Sequence, residues 1–134
     1  MPKSTVMETT IKHTILYIED NPANLKLVNK ILSKHSHINL ITAHEPDLGF
    51  KLASIHQPEL ILLDINMPGM NGYQVLEKLQ ADKQLHNIPV IAVTANAMEK
   101  DIERGKQAGF SDYMTKPLNI EEFISTINLY IKQD

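Results

Sequence analysis

Cysteine is absent from the 134 residues. That excludes a disulfide framework, a thiol nucleophile and any thiolate metal site. No apolar run approaches the roughly 18 residues of a membrane span, and residues 1–14 lack the apolar stretch of a signal peptide. A strong charge of either sign is missing too. Thirteen basic residues against sixteen acidic give a net charge of −3, which argues against a nucleic-acid footprint. There are no internal repeats, no low-complexity tracts and no glycine-rich phosphate loop. What is present is an ordinary globular composition, 43% hydrophobic and 22% charged. The length suits one domain that hides roughly two-thirds of its unfolded surface. The expectation is a cytoplasmic, single-domain protein that handles a metal or an anion, without membrane insertion or direct nucleic-acid contact.

After a polar tail at residues 1–12, short apolar runs alternate with longer amphipathic ones over residues 13–134. Ile15-Leu16-Tyr17-Ile18 has strand length and stops at Glu19-Asp20-Asn21-Pro22, where a helix starts with proline in its first turn. Leu25, Val28, Ile31 and Leu32 then recur at helical spacing. Residues 38–42 form a second strand, and Leu48, Leu52 and Ile55 mark a second helix. Leu60-Ile61-Leu62-Leu63 is a third strand. A loop over residues 66–72 leads to a helix carrying Val75, Leu76 and Leu79. Residues 89–93 are a fourth strand, 98–107 a polar helix stopped at Gly109, and 110–114 a fifth strand. Ile120, Phe123, Ile124, Ile127 and Ile131 line the last helix. Such alternation implies a parallel sheet with helices on both faces. Buried parallel strands are apolar throughout. Runs two and five carry Asn39, Ser111 and Asp112, so they belong at the edges. Right-handed crossovers then give the order 2-1-3-4-5, the flavodoxin-like arrangement.

In such sheets ligands sit at the carboxyl ends of the strands. Strand one ends in Glu19 and Asp20, strand three in Asp64, strand four in Thr94 and strand five in Lys116. Each residue alone has an ordinary explanation as a cap, a turn or a solvated side chain. Together they bring three carboxylates, a hydroxyl and an ammonium to one sheet edge. Crowded carboxylates call for a hard divalent cation, and Mg²⁺ suits oxygen ligands. A phosphoryl group fits between metal, Lys116 and Thr94, with one carboxylate as nucleophile. Asp64, on the central strand, is the candidate acceptor.

These residues resemble the receiver domain of two-component response regulators, over about residues 13 to 132. The most specific stretch is Leu60-Ile61-Leu62-Leu63-Asp64-Ile65-Asn66-Met67-Pro68-Gly69-Met70-Asn71-Gly72, joined by the acidic pair, Thr94-Ala95 and Lys116-Pro117. The resemblance implies an α/β, flavodoxin-like (βα)5 three-layer sandwich. Asp64 would be the phospho-acceptor. Asp20 and Asp64 would ligate Mg²⁺ with help from Glu19, and Asn66 would add its backbone carbonyl. Thr94 would bind the phosphoryl group and act as a switch, and Lys116 would pair with its oxygens beside a cis Lys116–Pro117 bond. Tyr113 falls on the switch-aromatic position, where an ordinary edge-strand aromatic is the plain alternative. Asn66 and Asn96 match positions linked in the family to dephosphorylation rate.

The implied donor is a phosphohistidine on a histidine kinase or a histidine phosphotransfer protein, landing on the first helix near Asn24, Leu25 and Val28. The implied recipient is a downstream protein or the remainder of a hybrid kinase. Stretches 17–24, 94–98 and 109–118 resemble hybrid-kinase receivers. The fourth helix has a thin apolar stripe of Met98, Ile102, Gly105 and Ala108, which suits a moving part. No output module is expected after the last helix, so the signal should leave through a protein surface. Three rivals are weaker on the residues. A haloacid-dehalogenase-type phosphatase would need a second carboxylate where Asn66 stands. A flavin or nucleotide module would need a phosphate cradle where Glu19 and Asp20 repel phosphate. A degenerate, docking-only receiver would lack part of the five-residue set.

Overall fold

The computed structural model of the chain describes residues 12–67, 71–95 and 99–131. Residues 1–11 of the expected tail, Asn96 and Met98 lie outside these residues. The apolar runs are strands β1 (His13–Ile18), β2 (Ile38–Ala43), β3 (Leu60–Asp64), β4 (Val90–Thr94) and β5 (Asp112–Thr115). Between and after them come α1 (Pro22–Leu32), α2 (Pro46–His56), α3 (Gly72–Ala81), α4 (Glu99–Ala108) and α5 (Ile120–Tyr130). All strand pairings are parallel, in the order β2-β1-β3-β4-β5. The expected topology is therefore the observed one.

Burial explains the order. Every residue of β3 and β4 is buried, whereas β2 and β5 keep exposed or half-buried positions. Side chains of the central strands alternate between two apolar layers. Ile15, Tyr17, Leu62, Ile91 and Val93 pack with Val28 and Ile31 of α1 and with Phe123 and Ile127 of α5. Leu16, Ile18, Ile61, Leu63 and Ala92 pack with Ala53 of α2, Val75 and Leu79 of α3, and Phe110. Each such Leu, Ile or Phe contributes roughly 1.5–3 kcal/mol of burial free energy, so the sheet is clamped from both sides.

Helix starts follow from short polar side chains. Asn21, Asn71 and Asn119 accept from Ala23 N, Tyr73 N and Glu122 N, and Glu45 accepts from Leu48 N. Each satisfies a first-turn N–H that has no partner inside the helix. Pro22 and Pro46 occupy the first turn, where the missing N–H is harmless.

Three expectations need correction. The fifth strand begins at Asp112, not at residue 110. The Phe110 N–H is spent on Gly105 O (3.0 Å) and the Gly109 N–H on Lys106 O (3.2 Å). These two bonds close α4 as a Schellman turn, with Gly109 at φ +115°. Ile55 does not line the inner stripe of α2 and is 65% exposed. It lies two residues, about 200° around the helix, from the buried Ala53. Ile120, at the first position of α5, is 57% exposed.

Candidate functional site

The carboxyl ends of β1, β3, β4 and β5 meet at one edge of the sheet. Backbone bonds fix their relative heights. Glu19 N donates to Ala43 O (2.9 Å), Ile65 N to Val93 O (3.0 Å) and Lys116 N to Thr94 O (2.7 Å). Glu19, Asp20 and Asp64 therefore converge, with one oxygen from each within 4.8 Å of the others. Glu19 and Asp64 are buried and Asp20 is exposed. They line an open cleft of about 430 Å³ together with Asn21, Pro22, Asn24, Asn66 and Lys116.

Lys116 ties the carboxylates together. Its Nζ lies 3.0 Å from Glu19 Oε1 and 3.1 Å from Asp64 Oδ2. The Lys116–Pro117 peptide that follows is cis. Burial disfavours the ammonium, but Glu19 and Asp64 outweigh it and raise Lys116 above the ordinary lysine range.

Glu19 and Asp64 divide one proton unequally. Burial pushes Asp64 up to about 6, and its hydrogen bond with Glu19 adds to the rise against the opposing pulls of the Asn66 N–H and Lys116. Burial also opposes the charge on Glu19, yet hydrogen bonds from Asp64, Lys116, Tyr17 and the Asn21 N–H hold it down at about 2. The donors are visible. Tyr17 hydroxyl donates to Glu19 Oε1 at 2.9 Å, Asn24 Nδ2 to the same oxygen at 3.0 Å, and Asn21 N to Oε2 at 3.3 Å. Asp64 has fewer, with Asn66 N on Oδ1 at 2.9 Å and Lys116 on Oδ2. Without a metal ion, the first proton taken up as pH falls through about 6 goes to Asp64, while Glu19 keeps its charge. Tyr17 in turn is raised, first by burial and then by Glu19.

The second half of the site is a hydrogen-bond chain. Thr94 Oγ1 donates to Asn66 Oδ1 at 2.8 Å, and Ala95 N donates to the same oxygen at 2.7 Å. Tyr113 is half-buried, and its hydroxyl is raised by burial and by the neighbouring Tyr73 against an opposing pull from Thr94. Its ring packs against Gly105 of α4, where an added Cβ would stand 2.8 Å from Cε2. Arg104 of the same helix stacks 4.2 Å over the Tyr73 ring.

All seven residues singled out in the sequence, Glu19, Asp20, Asp64, Asn66, Thr94, Tyr113 and Lys116, thus belong to one connected cluster. Part of the expected landing face does not hold. Val28 is fully buried in the layer under α1 and Leu25 is half-buried against it. Their spacing puts them on the sheet-facing stripe rather than the open one. Asn24 is turned toward Glu19. The sequence reading missed Tyr17, Tyr73 and the Asn66 carboxamide. Tyr17 could have been found, because positions i and i+2 of a strand share a face and Glu19 lies two beyond it.

Comparison with known proteins agrees with this fold. The family model described as response regulator receiver domain matches residues 15–128. The polar-differentiation response regulator DivK of Brucella anthropi is 38% identical over 118 residues, which are 88% of this chain and 95% of that protein. DivK of Brucella ovis is similar to the same extent. Among solved structures, the receiver domain of sensor histidine kinase PA1611 from Pseudomonas aeruginosa PAO1 superposes with a TM-score of 0.79 at 28% identity. The match covers 89% of this chain and 97% of that one, and magnesium ion is coordinated in that protein's active site cleft. Chemotaxis protein CheY4 of Vibrio cholerae shares the fold with a TM-score of 0.81 at 21% identity, over 89% of this chain and 98% of its own. A match of this extent, on a sheet of this order, makes the chain a member of the response regulator receiver domains, the phospho-accepting signalling modules of two-component systems.

Proposed function

We propose that Asp64 is the residue phosphorylated, that Glu19, Asp20 and Asp64 hold Mg²⁺ with the Asn66 backbone carbonyl, and that Thr94, Lys116 and Tyr113 read the phosphoryl group. The observation that carries this is the Lys116 ammonium held between Glu19 and Asp64 at 3.0 and 3.1 Å. Three carboxylate oxygens within 4.8 Å of one another form a hard, all-oxygen donor set that fits Mg²⁺. When bound, Mg²⁺ neutralises these carboxylates and draws charge from the transferring phosphoryl oxygens.

The remaining work falls to the chain. One Asp64 oxygen attacks the phosphorus of a phosphohistidine, an O–P bond forms, the P–N bond breaks and imidazole leaves. Lys116 stabilises the negative oxygens that accumulate in transfer. The Thr94 hydroxyl binds another of these oxygens, and Tyr113, whose ring packs on Gly105, carries the change toward α4. Water attack on the acyl phosphate returns Asp64 and inorganic phosphate. The donor is a histidine kinase or a histidine phosphotransfer protein. The recipient is a downstream protein or the rest of a hybrid kinase. The setting is cytoplasmic, consistent with no helix among the described residues being long and apolar enough to cross a membrane. Family membership removes the phosphatase and flavin-module readings.

The test is labelling with a small phosphodonor and Mg²⁺, followed by mass analysis. Wild type is expected to gain one phosphoryl group on Asp64, and Asp64→Asn none. Equal labelling of both would discard the assignment.

A further inference from the structure

Asn66 has a second role that its backbone carbonyl does not account for. Its side-chain oxygen accepts from two donors at once, Thr94 Oγ1 at 2.8 Å and Ala95 N at 2.7 Å. The Ala95 N–H can only donate, so the oxygen of the carboxamide, not its nitrogen, must face it, and the Thr94 hydroxyl then donates to the same oxygen. One oxygen gripped by a hydroxyl and a backbone N–H reproduces the arrangement these donors would make with a phosphoryl oxygen. The backbone of the same residue is pinned, because Asn66 N donates to Asp64 Oδ1 at 2.9 Å. The side chain itself is exposed. It can rotate into solvent without moving the backbone, giving up its bonds to Thr94 and Ala95.

We propose that the Asn66 carboxamide is an internal stand-in for the phosphoryl group. In the unphosphorylated chain it occupies the Thr94 and Ala95 donors, and it must be displaced before a phosphoryl group on Asp64 can use them. This rests on the reading of Asp64 as acceptor. The exchange makes and breaks hydrogen bonds only. It is selective by charge: hydrogen bonds to an ionised acceptor are roughly twice as strong as neutral ones, so a phosphoryl oxygen displaces the amide oxygen where a neutral ligand would not. Asn66 acts as a positioning residue. It keeps the Thr94 hydroxyl aimed into the site and sets a threshold that the incoming group must exceed.

The test uses the full chain, ¹⁵N-labelled, with Mg²⁺ and beryllofluoride as phosphoryl analogue, comparing wild type with Asn66→Ala. Before the analogue is added, the Ala95 amide proton is expected upfield in the variant, because its acceptor is gone. With the analogue bound, the two Ala95 resonances should converge. The variant should bind beryllofluoride roughly three- to tenfold more tightly, the scale of one neutral hydrogen bond no longer competed for. Unchanged signals at Leu79 and Phe123, one in each core layer, report that the variant is folded. Identical Ala95 shifts in the two free proteins, or equal or weaker analogue binding by the variant, would overturn the stand-in role and leave Asp64 untouched. Failure of wild type to bind the analogue at all would overturn the acceptor reading and this one with it.

Discussion

Two carboxyl groups with opposite proton habits sit side by side at the centre of the site, and their environments decide which is which. Glu19 accepts from Tyr17, Asn21, Asn24 and Lys116, whereas Asp64 has the Asn66 N–H and a share of Lys116. Asp64 titrates near 6 in the absence of a cation, so below that pH a proton competes with Mg²⁺. Apparent Mg²⁺ affinity is expected to be flat above pH 7 and to fall about tenfold per unit below 6. Calorimetric titration at pH 5, 6 and 8 checks this, and equal affinity at pH 5 and 8 would contradict it. The stability of the metal-free chain follows the same pair. Asp64, raised from 3.8 to about 6, stabilises the fold below 3.8 and loses that contribution as pH rises through 6. Glu19, lowered from 4.5 to about 2, contributes above 4.5 and loses its contribution as pH falls through 2. Asp64→Asn removes the group that resents being charged. It should stabilise the metal-free protein at pH 8 by about 1–2 kcal/mol and change little at pH 4, as read by urea denaturation. The types and strand-end positions of Glu19, Asp64, Thr94 and Lys116 were legible in the sequence, because a parallel sheet assembles strand ends by topology. The Asn66 carboxamide was not, because a rotamer decides whether it faces solvent or Thr94.

Element boundaries show where pattern stops being informative. Phe110 is apolar and precedes a strand, and the pattern alone counts it as strand. Its N–H is already engaged by Gly105 O, so a helix-closing turn takes two residues that hydrophobicity assigned to β5. Gly105 links that turn to the site. It is buried on the sheet-facing side of α4, with the Tyr113 ring directly above it. Alanine there gains helix propensity of about 1 kcal/mol. Its Cβ, however, would stand 2.8 Å from Cε2 and 3.1 Å from Cδ2 of a rigid ring. Gly105→Ala is therefore expected to turn Tyr113 away from Thr94 while Asp64 remains open to labelling. Ring signals of Tyr113 should shift, and incorporation from a small phosphodonor should persist. A ring unmoved by the substitution would mean that α4 itself gives way. Helix α4 is suited to such coupling, since Ile102 and Ala108 are half-buried on its inner stripe and little apolar surface anchors it.

At the scale of the whole molecule, strand order was readable because burial grades from β3 and β4 outward to β2 and β5. The helix faces were partly readable: Ile55 and Ile120 look like core and are not. Lys116 joins scales, since a side chain at the end of edge strand β5 reaches carboxylates from β1 and β3. Lys116→Ala should destabilise the metal-free fold by about 2 kcal/mol, through two buried carboxylates left without a cation. Added Mg²⁺ should recover part of the loss, and thermal melts with and without EDTA measure both. If the variant melts like wild type in EDTA, the bridge is not structural. In the unmutated chain the lysine would then serve as a resident understudy for the proposed metal. Chelation should leave a single cooperative melt, unlike domains that unfold when their ion is withdrawn. Cation supply would then govern when the chain can be written to, and not whether it persists. A cell passing through magnesium shortage would hold a silent but intact receiver, ready again when the ion returns, with no need to synthesise or refold another copy.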